Sequence, residues 1–71
     1  MRTWLRDQRV RKGLTLKEMG HELGISESYY CAIENGERQQ KMDLVLAAGI
    51  SSVLNIPISE IVSLENSRLR E

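Results

Sequence analysis

The chain has 71 residues, 41% of them hydrophobic, and a formal net charge of zero. That length makes one domain, near the lower limit for folding on a hydrophobic core without disulfides or metal. A single cysteine, Cys31, excludes an internal disulfide and a cysteine-rich zinc site and suits a reducing cytoplasm; no apolar run approaches the roughly 18 residues of a membrane span, and the start MRTWLRDQR lacks the apolar segment of a secretory signal.

The zero is the sum of two unequal halves. Residues 1–41 hold eight basic and six acidic side chains, whereas residues 42–71 hold two and four. The mild positive excess therefore lies in the half that carries the most informative pattern, residues 15–36, and it favours contact with phosphates.

Residues 2–12 read as a first helix, with Leu5, Val10 and part of Trp4 facing the core, Gly13 as its stop and Leu14 folding back. Thr15 followed by Glu18 is a capping box, in which each side chain satisfies a backbone N–H at a helix start. The second helix then spans Leu16–Leu23, with Leu16, Met19, Gly20 and Leu23 at helical spacing and Gly24 ending it. Ile25 is an apolar plug, Ser26 caps a third helix over Glu27–Asn35, Tyr30 and Ile33 continue its inner face, and Gly36 stops it. Helix, glycine-containing turn, helix is the arrangement by which one rigid element holds another in the DNA major groove.

A polar loop occupies residues 36–41. Asp43 is positioned to cap a fourth helix carrying Leu44, Leu46, Ala47, Ile50, Val53 and Leu54, which Asn55-Ile56-Pro57 breaks. Ile58, Ile61, Val62 and Leu64 suit a short fifth helix. Residues 65–71 contain one apolar side chain and are expected to fray, a short polar tail after a domain of residues 1–64. With no strand-like alternation, repeat or low-complexity tract, the expected product is an all-α domain of five helices.

The order and spacing of several fragments resemble the Cro/XRE-type phage-repressor helix-turn-helix family over roughly residues 4–63. These are Arg9 ahead of Gly13-Leu14-Thr15, Met19 with Leu23-Gly24-Ile25-Ser26, Tyr29-Tyr30 with Ile33-Glu34-Asn35-Gly36-Glu37-Arg38, and Leu54-Asn55-Ile56 with Glu60-Ile61. The resemblance implies a compact five-helix, lambda-repressor-like DNA-binding domain with its helix-turn-helix at helices two and three. It also implies an ion pair between Arg9 and Glu34 that pins helix three against helix one; two solvated surface charges are the alternative.

By the same resemblance, Ser26, Glu27, Ser28, Cys31 and Ala32 occupy the base-reading surface. Serine hydroxyls can serve bases or phosphates, and Glu27 can accept from cytosine N4 or simply favour the helix start as an acid in the first turn. Ala32 leaves only apolar contact, as with a thymine methyl. Lys17, Tyr29, Asn35, Arg38, Gln39, Gln40 and Lys41 are the expected phosphate contacts, with residues 36–41 resembling the family's backbone-clamping segment. Tyr29 has a second reading as cover for the domain edge, and Arg2, Arg6 and Arg11 either add to the phosphate grip or line a solvated helix face. Two departures stand out: Leu16 replaces a frequent glutamine, and no arginine, lysine, asparagine or glutamine lies between Ser26 and Ile33. Bidentate readout of guanine or adenine from that face is thereby removed, leaving the serines, Glu27 and operator deformability.

The leading expectation is a sequence-specific DNA-binding transcriptional regulator, a repressor of phage, plasmid or mobile-element type, acting on double-stranded DNA as a homodimer with half-sites about 34 Å apart. Helices four and five, with Val53, Ile58 and Leu64, are candidates for the dimer surface. The alternative is a protein-interaction module on the same fold, an antirepressor-like partner or an antitoxin, which zero net charge favours. One histidine, one cysteine, no glycine-rich phosphate loop and no spaced metal ligands speak against an enzyme, a metal site or a small-molecule cofactor.

Overall fold

Thr15 Oγ1 accepts a hydrogen bond from the Glu18 amide at 3.1 Å, and Glu18 Oε1 accepts one from the Thr15 amide at 2.9 Å. This reciprocal cap starts a helix at Leu16, and the Thr15 backbone N–H holds the Glu18 carboxyl below its ordinary pKa. The same logic recurs twice: Ser26 Oγ accepts from the Tyr29 amide at 3.1 Å, and Asp43 Oδ1 from the Leu46 amide at 2.7 Å. The computed structural model, which describes residues 1–70, contains α1 (Thr3–Arg11), α2 (Leu16–Leu23), α3 (Glu27–Asn35), α4 (Leu44–Leu54) and α5 (Ile58–Leu69). Glu71, the last residue of the expected tail, lies outside the described residues. No single helix among them is long and apolar enough to cross a membrane.

One core joins the helices. Leu5 of α1, Met19 of α2, Tyr30 and Ile33 of α3, Ile50 and Leu54 of α4 and Ile61 of α5 are all buried. Each such side chain stabilises the fold by roughly 1.5–3 kcal/mol relative to exposure. Leu14, Leu16, Leu23 and Ile25 pack against this core from its rim. α2 lies on α3 and α4, α1 on α3, and α5 on α4. Asn55 takes a left-handed conformation at φ 55°, and the chain turns by 116° between α4 and α5.

Two expectations are corrected, for Val10 and for the end of α5. Val10 is 56% exposed, because the inner face of α1 is occupied by Leu5 and Arg9, four residues apart, and Val10 follows about 100° farther round the helix. Leu44 is 85% exposed, one turn ahead of the covered stripe Ala47, Ile50 and Leu54. α5 does not fray after Leu64 but runs on to Leu69, since Glu65 is buried and hydrogen-bonded to Arg2, Trp4 and Arg68.

Candidate nucleic-acid interface

The turn between α2 and α3 is set by two glycines. Gly24 adopts φ 71°, the left-handed region where a side chain is disfavoured. Gly20 faces the turn so closely that a Cβ there would lie 3.0 Å from the Ile25 carbonyl oxygen and 3.2 Å from that of Ser26. The missing side chain lets the backbone leading into α3 rest directly on α2.

From the other side α3 is held by an ion pair. Arg9 Nε donates to Glu34 Oε2 at 2.6 Å and Nη2 to Oε1 at 3.4 Å, while Nη1 donates to the Leu14 carbonyl at 2.7 Å. Both side chains are nearly withdrawn from solvent. The hydrogen bond to Glu34 raises the Arg9 pKa, and burial, reinforced by the Glu34 carboxylate, pushes the Tyr30 phenol well up. The Arg9–Glu34 pair thus fixes the angle of α3 against α1.

The outer face of α3 stays open. Ser26, Glu27, Ser28 and Asn35 are exposed, Tyr29 borders on exposure, and Cys31 and Ala32 are half-buried between them. Ser28, Tyr29, Ala32, Glu37 and Arg38 line one shallow concavity, so expected base-reading and phosphate-contacting side chains come together there. The Ser26 oxygen is engaged in the helix cap, with Ser28 Oγ 3.4 Å away, and Asn35 Nδ2 lies 3.7 Å from Cys31 Sγ. Lys17, Arg38, Gln40 and Lys41 are exposed, and none of the three cations makes an ion pair among the described residues.

One expected phosphate ligand, Gln39, has other work, and Arg2 is neither a phosphate contact nor part of a solvated helix face. Gln39 sits at φ 54°; its Nε2 donates to Tyr29 Oη at 3.0 Å and its Oε1 accepts from the Asp43 amide at 3.0 Å. Its amide therefore ties α3 to the start of α4 rather than standing free. Tyr29 is the acceptor in that bond, which leaves its own O–H available to donate. Arg2 is fully buried and reaches no solvent, so it does not belong to an exposed basic face.

The sequence model of the helix-turn-helix family matches residues 5–61. The chain belongs to the helix-turn-helix family. Its domain is of the Cro/XRE type, a class of DNA-binding domains. Among curated proteins it is similar to the uncharacterized HTH-type transcriptional regulator YqaF of Bacillus subtilis (strain 168), at 44% identity over 39 residues. That match covers 55% of this chain and 51% of the relative, about half the length of each. No solved structure matches.

Within this helix-turn-helix domain, the roles of Arg2, Glu65 and Arg68 had no local sequence signal. Arg2 and Glu65 are 63 positions apart, and each taken alone reads as an ordinary surface charge.

Proposed function

We propose that this helix-turn-helix protein is a sequence-specific transcriptional repressor of phage, plasmid or mobile-element type that reads the DNA major groove with α3. The observation that carries this reading is the outer face of α3: braced from beneath by Arg9–Glu34, lined by Ser28, Cys31 and Ala32, and flanked by exposed cations on α2 and on the loop after α3. Small side chains let the helix axis approach base edges closely. Ser26, Glu27, Ser28, Cys31 and Ala32 are the proposed base contacts, and Lys17, Tyr29, Asn35, Arg38, Gln40 and Lys41 the proposed phosphate contacts. Gln39 serves that set indirectly, by steadying Tyr29.

The proposed working form is a pair of copies in the bacterial cytoplasm. One domain measures 29 × 24 × 21 Å, so two can sit side by side on one DNA face with their centres about 34 Å apart. α4 and α5 supply the proposed pairing surface, where Leu44, Ile58 and Val62 are exposed.

Selection of bound sequences from random duplex DNA by the purified protein tests the reading. The expected result is a two-fold symmetric consensus; recovery of unenriched sequence would remove the claim of specificity. A second reading, a protein-interaction module of antirepressor or antitoxin kind, is favoured by the zero net charge and by the absence of arginine, lysine, asparagine and glutamine from residues 27–32, which include the outer face of α3. DNA association that is absent or indifferent to salt, alongside a stable protein complex, would establish it instead.

A further inference from the structure

Arg2 lies just before α1, yet it is the largest fully buried side chain in the domain. A guanidinium has five N–H donors, and all five have acceptors here. Nε and Nη2 donate to the two carboxylate oxygens of Glu65, each at 2.9 Å. Nη1 donates to the carbonyls of Ile33 at 2.6 Å and Arg38 at 3.4 Å, and Nη2 also reaches the carbonyl of Gln39. The Arg2 amide donates to the Glu34 carbonyl at 2.7 Å. Ile33 and Glu34 are in the last turn of α3, where carbonyls lack helical partners and a cation is favoured.

Glu65 gathers the rest. It accepts from Trp4 Nε1 at 2.8 Å and from Arg68 Nε at 3.1 Å, and Arg68 Nη2 donates onward to the Gln40 carbonyl at 2.6 Å. Two guanidiniums anchored on one α5 carboxylate therefore hold three consecutive loop carbonyls, those of residues 38, 39 and 40. This is the segment that presents Arg38.

We propose that Arg2, held by Glu65, is a positioning residue for DNA binding: it sets the C-terminal end of α3 and the shape of the loop at residues 37–40, and through them the reach of Arg38 to the phosphates. The inference rests on the proposed DNA-reading role of α3. A lysine at position 2 has three donors on a point charge and cannot span Glu65 and the three carbonyls that the Arg2 side chain holds at once.

Glu65→Gln separates position from charge. Removing an acid makes the protein more positive, so charge alone predicts tighter DNA binding, whereas loss of the clasp predicts weaker binding. The measurements use the full chain, at a temperature where circular dichroism shows each variant folded, with a mixed-sequence DNA duplex as the probe because phosphate contacts are sequence-independent. Expected for Glu65→Gln and Arg2→Lys is weakening of about tenfold and a salt slope lower by about one, with Arg70→Gln, a charge control on the exposed end of α5, losing less. Amide exchange at Gly36, Glu37 and Arg38, whose N–H groups bond back into α3, should rise about tenfold more than at Met19 or Ile50.

Unchanged or tighter binding by Glu65→Gln, or exchange that rises equally at loop and core, would overturn the positioning role. Should Arg2→Lys fail to fold, Glu65→Gln decides alone. Failure of the unmodified protein to bind the duplex would overturn the DNA-reading function and this role with it, while selective loop exchange in Glu65→Gln would still support the clasp itself.

Discussion

Arg9 and Glu34, on α1 and α3, meet at 2.6 Å with side chains 11% and 4% exposed. Removing one member strands the other charge in a dry site, which typically costs about 3–5 kcal/mol, much of the stability of so small a domain. Arg9→Leu is therefore expected to unfold at a far lower urea concentration. The double substitution Arg9→Leu with Glu34→Leu should recover part of that loss, since no unpaired charge remains. A double variant no more stable than the single one would show that geometry, not charge, dominates the pair.

The two turn glycines should respond differently to alanine. At Gly24 the added methyl meets nothing within 4 Å, so the cost is the left-handed backbone, about 1–2 kcal/mol. At Gly20 it would press on the backbone oxygens of Ile25 and Ser26 at 3.0 and 3.2 Å, which cannot swing aside. Gly20→Ala is expected to cost about 1–3 kcal/mol and also to tilt α3, weakening DNA binding in protein that is still folded. Thermal melts and affinity measured together distinguish the two.

Acid should loosen the N-terminal clasp. Burial works against the charge on Glu65, but hydrogen bonds from Arg2, Arg68 and Trp4 outweigh it and hold its carboxyl below the ordinary 4.5. A depressed carboxylate pKa contributes stability that is complete above the unfolded value and is lost as pH falls through the folded one. Denaturation midpoints should thus be flat above about pH 5 and decline below the ordinary value, with a shallower decline in Glu65→Gln. Trp4 is the sole tryptophan, and its indole N–H bonds to Glu65, so its emission should change over the same acid range. Emission constant through acid unfolding would contradict this assignment.

On DNA, the loop and the reading face should separate. Arg38→Ala is expected to weaken binding on every sequence about equally and lower the salt slope by about one; Glu27→Ala should change which sequences are preferred. Repeating the selection from random duplex with each variant, and titrating with salt, checks both. Identical consensus and slope for the two variants would place the contact surface elsewhere.

Residues by themselves determined most of the helical frame. Thr15 with Glu18, Ser26, Asp43, Gly24 and Gly36 act on neighbours within a few positions, so α2 and α3 begin and end where local chemistry puts them. The outer face of α3 was readable for the same reason, as helical spacing turns sequence directly into a surface. Tertiary structure alone decided what the charges do. Arg2 and Glu65, 63 residues apart, become one buried cluster, which extends α5 to Leu69 and removes Arg2 from the basic surface. Gln39 likewise becomes a strut between Tyr29 and Asp43 only because the loop brings α3 and α4 together. A charged or amide side chain carries no local mark of its partner: its role depends on which distant donors and acceptors the packed core happens to strip of water beside it.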